Sequence, residues 1–217
     1  SSEGNYVHIT VNGSTEAPTS KVNGGAFEFV KASESEGSVT YTLEQIGTYV
    51  EGFGVLLNDH ADKTFVAFVD GISIAAADRF NGSSATAIMY TAASKSNKGN
   101  TVKILMLKDY NATSSETFVN LAMCTSEITI DLNGHYFYAN SSKAMFTLLT
   151  KMSVKEVKIN LINGFVVLKG CPLVQYGTNN YDGKTFSMNF ENVNFSLSRL
   201  MLRGTGNTSL LTMGAFC

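Results

Sequence analysis

The chain has 217 residues and a formal net charge of -2, from 16 basic and 18 acidic side chains. Because positive charge is not in surplus, the sequence offers little to attract a nucleic-acid backbone, and no nucleic-acid partner is predicted. No apolar run approaches the roughly 18 residues of a membrane-spanning helix, so no membrane span is predicted either.

Charged residues make up only 16% of the chain, and its polarity comes largely from Ser, Thr, Asn and Gly, which suit turns and extended surfaces. This composition favours a secreted or cell-surface protein over a cytosolic enzyme. The N-terminal sequence SSEGNYVHITVNG has neither an initiator Met nor the basic and apolar regions of a signal peptide. Its composition indicates a mature exported chain or an excised fragment.

Residues 1–100 contain no internal repeat. Period-two alternation predicts strands there in four segments, YVHITV, AFEFVKA, SVTYTL and KTFVAFVDG. Residues 43–57 and 84–94 are predicted as short helices. Since the open end of a stacked β structure must be covered, residues 1–100 are predicted to form a mixed cap or accessory region, with residues 94–100 as the hinge to residues 101–217.

The second region contains a repeat with an interval of 29 residues, from 128 to 157 and from 157 to 186. The three copies align without gaps: ITIDLNGHYFYA from Ile128, VKINLINGFVVL from Val157 and FSMNFENVNFSL from Phe186. An interval of this size is typical of stacked supersecondary units, because each unit leaves an apolar face that only its neighbour can cover.

The aligned positions alternate between apolar and polar, as the two faces of a β-strand require. The gap-free alignment predicts inward columns at three positions of the first strand and two of the second: Ile128/Val157/Phe186, Ile130/Ile159/Met188, Leu132/Leu161/Phe190, Phe137/Val166/Phe195 and Ala139/Leu168/Leu197. The interleaved first-strand columns are polar and are predicted to face outward: Thr129/Lys158/Ser187 and Asp131/Asn160/Asn189.

Between the two strands, Gly134, Asn163 and Asn192 share a column, and Gly and Asn tolerate the left-handed conformation of a sharp turn. Asparagines stacked there are expected to hydrogen-bond along the stack. A third strand in each copy is predicted at AMFTLL, PLVQY and RLMLR. One copy therefore reads as one coil of a three-faced parallel solenoid, and the alternative is an antiparallel sandwich.

The segment VKILMLKDYN followed by ITIDLNGHYFY resembles the opening coils of right-handed parallel β-helix proteins of the pectate-lyase-like superfamily, over about residues 101–213. The resemblance implies a mainly β fold, a right-handed parallel β-helix with a mixed N-terminal cap. It implies no single activity, because the superfamily includes lyases, hydrolases, phage tailspikes, adhesins and structural proteins.

The sequence lacks the clusters that catalytic members of that superfamily use. In the alignment Asp131 is followed by Asn160 and Asn189, so no calcium-binding set of acids or carboxylate pair stacks there. His135 is predicted as a solvent-exposed turn residue. No catalytic residue, metal ligand or cofactor is predicted.

Tyrosines predicted to face outward are the candidate carbohydrate-binding residues, because aromatic rings stack on sugars. They are Tyr136, Tyr138, Tyr176 and Tyr181. Tyrosine is also a common strand residue, which is the plainer interpretation.

Three cysteines suggest a disulfide between Cys124 and Cys171 and an intermolecular bond through Cys217, or else three thiols. Asn-x-Ser/Thr sequons mark six possible glycosylation sites, at Asn12, Asn81, Asn111, Asn140, Asn194 and Asn207.

These features predict a non-catalytic extracellular structural or adhesive protein. Its expected partners are copies of itself, through the termini and the β-helix ends, or glycan surfaces. The alternatives are a fragment of a carbohydrate-active lyase or hydrolase and a glycan-binding module without turnover.

Overall fold

The computed structural model describes residues 19–22, 25–36, 38–81, 87–112, 119–120, 127–140, 144–148, 156–170, 173–176 and 185–197. Over these residues the fold is mainly β and is built on a mixed, open sheet. The strand YVHITV and the third-copy strand RLMLR, both predicted above, lie outside this part of the chain.

The N-terminal strands form an antiparallel ribbon in chain order. Its members are β1 (Thr19–Val22), β2 (Gly25–Ser35), β3 (Ser38–Val50) and β4 (Gly54–Leu57). The helix predicted at residues 43–57 is therefore wrong. Leu43, Ile46 and Val50 have helical spacing, but β3 also contains β-branched threonines and finds hydrogen-bonding partners in β2 and β4.

Two further strands and a helix join this ribbon to the repeat region. β5 (Phe65–Val69) and β6 (Ile72–Ala77) form an antiparallel pair, and β5 also pairs with β7 (Val102–Met106). A short 3-10 helix spans Asn58–His60. The helix predicted at residues 84–94 is present as α1 (Ile88–Ser96), whose apolar side packs into the core beside β5 and β7.

From β7 onward, strands of successive copies pair in parallel. The first set is β7, β10 (Glu127–Asp131), β13 (Glu156–Lys169) and β15 (Thr185–Leu197). The second contains β8 (Tyr110–Ala112) and β11 (Tyr136–Asn140) with the later halves of β13 and β15. The third is β9 (Val119–Asn120), β12 (Phe146–Leu148) and β14 (Val174–Tyr176). Parallel pairing excludes an antiparallel sandwich for these strands.

The register corrects the gap-free alignment in one place. Ile130 pairs with Leu161, 31 residues later and not 29, while Ile128 pairs with Ile159. The predicted column of Ile130, Ile159 and Met188 is therefore wrong in its first member, although Ile159 does pair with Met188. The same two-residue displacement applies to the other first-strand columns, and the columns of the second strand are confirmed.

The displacement arises in the turn of the first copy, which has four residues, 132–135, between β10 and β11. The corresponding corner of β13 pairs on both sides of Asn163 without leaving the strand. The longer turn packs closely over this corner. A Cβ built on Gly164 would lie only 2.5 Å from the Cβ of Leu132 and 2.9 Å from the carbonyl oxygen of His135. Glycine at 164 is what permits this approach.

Inward side chains of the paired strands form one continuous apolar core. Ile128, Ile159, Phe137 and Val166 are fully buried, and Phe80 from the N-terminal region lies in the same core. An even shift of two residues leaves the inward and outward faces unchanged. The predicted division of apolar and polar side chains is therefore confirmed, despite the wrong register, for the side chains that the structure describes.

The corners depend on left-handed asparagines, as predicted. Asn163 and Asn192 have φ of 56° and 52°, and the Nδ2 of Asn192 donates to the Oδ1 of Asn163 at 3.4 Å. A second amide ladder runs along the outer face, where the Nδ2 of Asn189 donates to the Oδ1 of Asn160 at 2.9 Å. These bonds satisfy polar groups at the bends and hold adjacent copies in register.

Candidate functional site

Two of the four candidate tyrosines lie side by side on the outer face of β11. Tyr136 is 48% exposed, Tyr138 is half-buried, and the buried Phe137 between them points inward. Tyr176 belongs to β14, in the separate three-stranded sheet, and Tyr181 lies outside the described residues. The structure therefore brings Tyr136 and Tyr138 together and places Tyr176 on another sheet.

The Tyr136 ring stacks on an aromatic ring from the next copy of the repeat. Phe165 pairs with Tyr136 in the parallel register, and the two rings stack with centroids 4.4 Å apart at an interplanar angle of 12°. Each ring restricts the rotation of the other, so the Tyr136 ring is held in one orientation. The 29-residue alignment contains the signal for this pair, since Tyr136 and Phe165 occupy the same aligned position.

Tyr138 has a cationic neighbour. The Nζ of Lys169 lies 5.7 Å from the centroid of the Tyr138 ring, within the range of a cation–π contact. Lys169 ends β13 and pairs with Asn140. Tyr136 and Tyr138 are thus each anchored by the following copy, one by an aromatic ring and one by an ammonium group.

An open concavity of about 380 Å³ lies beside the two tyrosines. Its lining residues, which we call the aromatic patch, are Asp109, Tyr110, Asn111, Tyr136 and Tyr138. Asp109 and Asn111 flank Tyr110, which is itself part of the core. The patch therefore combines exposed ring surface with a carboxylate and an amide.

Asp109 connects the loop before β8 with the turn before β11 through its carboxylate. Its Oδ1 accepts a hydrogen bond from the backbone N–H of Tyr136 at 3.0 Å and lies 3.1 Å from the Nδ1 of His135. The Tyr136 N–H, together with the hydrogen bond and charge of His135, lowers the pKa of Asp109 below its ordinary value of 3.8 despite partial desolvation. Asp109 is therefore a carboxylate at neutral pH, and its contacts with Tyr136 and His135 weaken only as the pH falls through this lowered pKa and the carboxylate is protonated.

The contact with Asp109 gives His135 a role that the sequence did not reveal. The His135 side chain is 32% exposed, and its predicted position at a turn is confirmed. However, its partner Asp109 lies 26 residues earlier in the chain, and that separation becomes a contact only through the parallel pairing of β8 with β11. Period-two alternation carries no information about such a pair.

The patch presents chemical groups that can contact a sugar. Ring faces stack on the C–H faces of pyranose rings, while carboxylate, amide and phenol groups hydrogen-bond to sugar hydroxyls. Among the five residues that line the concavity, Asp109 supplies the carboxylate. Within the described residues, His, Cys, Asp and Glu form no group of three that could hold a metal ion.

The predicted sequons fall in different environments. Asn111, Asn140 and Asn194 are exposed, and Asn111 lies in the aromatic patch itself. Asn81 is 1% exposed. Asn12, Asn207 and all three cysteines, Cys124, Cys171 and Cys217, lie outside the part of the chain that the structure describes.

In the described ranges no helix has both the length and the apolar character needed to cross a membrane. Comparison with protein-family models, curated proteins and solved structures gives no significant match to this chain.

Proposed function

We propose that this chain is a non-catalytic adhesive protein of the cell exterior, which binds glycans through the aromatic patch on a rigid parallel β-helix. The observation that carries the proposal is the Tyr136 ring, about half exposed and stacked on Phe165, beside Tyr138 and the carboxylate of Asp109.

The scaffold part of the proposal is that Val102–Leu197 winds as a right-handed parallel β-helix of the kind found in the pectate-lyase-like superfamily. Three parallel strand sets in matching chain order, shared corners at Asn163 and Asn192, and one continuous inner core support it. Right-handedness follows from the strong preference of parallel crossover connections for that hand. The N-terminal strands and α1 are then its cap.

The binding part of the proposal follows from preorganisation. A side chain that is already held in place loses little conformational entropy when a ligand binds, so more of the contact energy appears as affinity. Phe165 and Lys169 hold the two tyrosines from one side, and Asp109 fixes the backbone at Tyr136. An exposed ring held this firmly has the properties of a recognition surface.

A secreted or cell-surface location is supported by the low charge content and the Ser, Thr, Asn and Gly-rich composition. A non-catalytic role is supported by the single carboxylate among the residues lining the concavity.

Alanine substitutions in the aromatic patch test the proposal. We expect wild-type protein to bind a subset of glycans on an array, and Tyr136→Ala and Tyr138→Ala each to weaken that binding by about tenfold to a hundredfold, the value of one lost aromatic contact. Isothermal titration calorimetry with the best array ligand measures the change.

The control is Tyr49→Ala, because Tyr49 on β3 is 57% exposed and lies outside the patch. This variant is expected to bind as the wild type does. No glycan binding by the wild type, or equal losses in Tyr49→Ala and Tyr136→Ala, would count against the patch. Release of reducing or unsaturated sugars from polysaccharides, with or without calcium, would instead favour the lyase or hydrolase alternative.

A further inference from the structure

The stack of aromatic rings on the outer face ends at Tyr136. Phe165 of the following copy pairs with Tyr136, and the two rings are nearly parallel, at 12°. The second face of the Tyr136 ring is therefore turned towards the preceding copy. The residue at that level is Asp109, one position before Tyr110, which pairs with Phe137. Asp109 has no ring, so the stack does not continue there.

Tyr138 has the same arrangement. Its cationic contact, Lys169, comes from the following copy, and its partner in the preceding copy is the short polar residue Asn111. The surface therefore forms a step, with two tyrosine rings as its wall and Asp109 and Asn111 as its floor. The concavity of about 380 Å³ lies at this step, since all four residues line it.

The dimensions of the step suit a single flat ring. The ring centroids of Tyr136 and Phe165 are 4.4 Å apart, close to the spacing of about 4.8 Å between paired strands. A ligand ring stacked on the second face of Tyr136 would continue this stack by one level. The volume of the concavity is also near the lower limit of the range of about 300–1,000 Å³ for ligand sites, which favours one sugar residue over a long chain.

The floor of the step supplies hydrogen-bonding groups beside the ring. Both contacts of Asp109 within the chain use its Oδ1, and its side chain is 67% exposed. A carboxylate has about four acceptor positions, so Asp109 retains acceptor capacity for a ligand. Asn111 is exposed, and its amide both donates and accepts. The two side chains can therefore bind neighbouring hydroxyl groups of a sugar.

The carboxylate of Asp109 also selects for the charge of the ligand. Repulsion between two like charges about 4 Å apart lowers affinity at least about fivefold, even in bulk water. Lys169 belongs to β13, on the opposite side of β11 from Asp109, and its ammonium group lies at the Tyr138 ring. An acidic sugar at the step would therefore meet a negative charge.

We infer that the concavity binds one uncharged pyranose residue, on the face of Tyr136 turned away from Phe165. The hydroxyl groups of this sugar hydrogen-bond to Asp109 and Asn111, and sugars that carry a carboxylate are disfavoured. The subsite presupposes the glycan-binding function proposed above, and it adds the charge class, the size and the position of the ligand.

The test uses methyl glycosides in pairs that differ only at C6: those of glucose, galactose and mannose, and those of the corresponding uronic acids. Protein is made in a bacterial host without N-glycosylation, so that Asn111 carries no glycan, and binding is measured at pH 8, where histidine is neutral. By NMR titration, we expect the wild type to bind at least one neutral glycoside at least about fivefold more tightly than its acid counterpart.

Two substitutions test the roles of the floor residues. Asp109→Asn keeps an oxygen that can accept from the Tyr136 N–H but removes the charge, so the preference for the neutral glycoside is expected to fall to about twofold or less. Asn111→Ala is expected to weaken neutral binding about twofold to tenfold, the value of one hydrogen bond. The matched control is Asn194→Ala, because Asn194 is exposed and pairs with Phe165 on the other side of the stack. It is expected to bind as the wild type does.

The outcomes separate the subsite from the function on which it depends. If the wild type binds no glycan on an array and no glycoside, both proposals are wrong. If array binding depends on Tyr136 but no single glycoside binds, or acid and neutral glycosides bind equally, the glycan-binding function stands and the subsite is overturned. An unchanged preference in Asp109→Asn, or an equal loss in Asn111→Ala and Asn194→Ala, overturns the subsite as well.

Discussion

Replacing Phe80 with alanine is expected to lower the free energy of unfolding by about 3–5 kcal/mol, the range for truncating a buried aromatic side chain. Phe80 is fully buried, and its ring contacts Phe65, Phe137 and Phe146 with centroids 5.5, 5.1 and 6.1 Å apart. These partners belong to β5, β11 and β12, so one ring joins the N-terminal region to two of the parallel strand sets. Its loss opens a cavity at that junction.

Denaturant titration followed by circular dichroism measures this cost. The matched control is Phe190→Ala, the same truncation of a side chain that is only partly buried. Its expected cost is smaller, about 1–2 kcal/mol. Similar costs for the two variants would contradict the central position of Phe80 in the core.

Gly54→Ala is expected to destabilise the protein by at least about 3 kcal/mol, through overpacking together with backbone strain. A Cβ at residue 54 would lie 2.0 Å from the carbonyl oxygen of Gly71, and the φ of Gly54 is 122°. The same carbonyl accepts the hydrogen bond from the N–H of Val55 at 2.9 Å. The substitution therefore forces β4 away from the turn between β5 and β6.

Gly52→Ala separates the two causes of this loss. Gly52 has a φ of 77°, and a Cβ there would meet nothing within 4 Å, so only the conformational cost of about 1–2 kcal/mol is expected. Thermal unfolding of both variants gives the comparison. Equal destabilisation of the two variants would show that the clash between the added Cβ at residue 54 and the Gly71 carbonyl oxygen contributes nothing to the loss of stability.

Local alternation in the sequence was sufficient to predict most strands of the repeat region and their inward faces. The pattern at Ile128, Ile159 and Met188 reflects burial on one face of a strand, which any correct fold must satisfy. The asparagine corners could also be predicted from the sequence. Few residue types adopt a positive φ, and Asn163 and Asn192 share one aligned position.

The register of the first copy could not be predicted in this way. A shift of two residues keeps every apolar side chain inward, so Ile130 opposite Ile159 and Ile130 opposite Leu161 fit the pattern equally well. The choice depends on the four-residue turn at 132–135 and on Gly164 beneath it. Packing of the turn against the next copy is a tertiary effect that a gap-free alignment omits.

The candidate site was predictable in part. Tyr136 and Tyr138 follow from the alternation around Phe137, because residues two apart on a strand share a face. Asp109, His135 and Lys169 come from different strands or turns, and only the parallel pairing brings them to the tyrosines. The β3 error has a related cause, since the neighbours of Leu43 in β2 outweigh its helical spacing.

The aromatic patch depends on the parallel register of the repeat strands, and engineered disulfides test this register most directly. Thr129 and Asn160 are paired outward positions of β10 and β13, and directly paired strands lie about 4.8 Å apart, within the range that a disulfide spans. Thr129→Cys/Asn160→Cys is therefore expected to oxidise within one chain. Asp131→Cys/Asn160→Cys, the pair from the gap-free alignment, would lie about 8 Å apart and is expected to stay reduced. The parallel register would be contradicted if a disulfide forms in the second variant but not in the first, or if no disulfide forms in either variant.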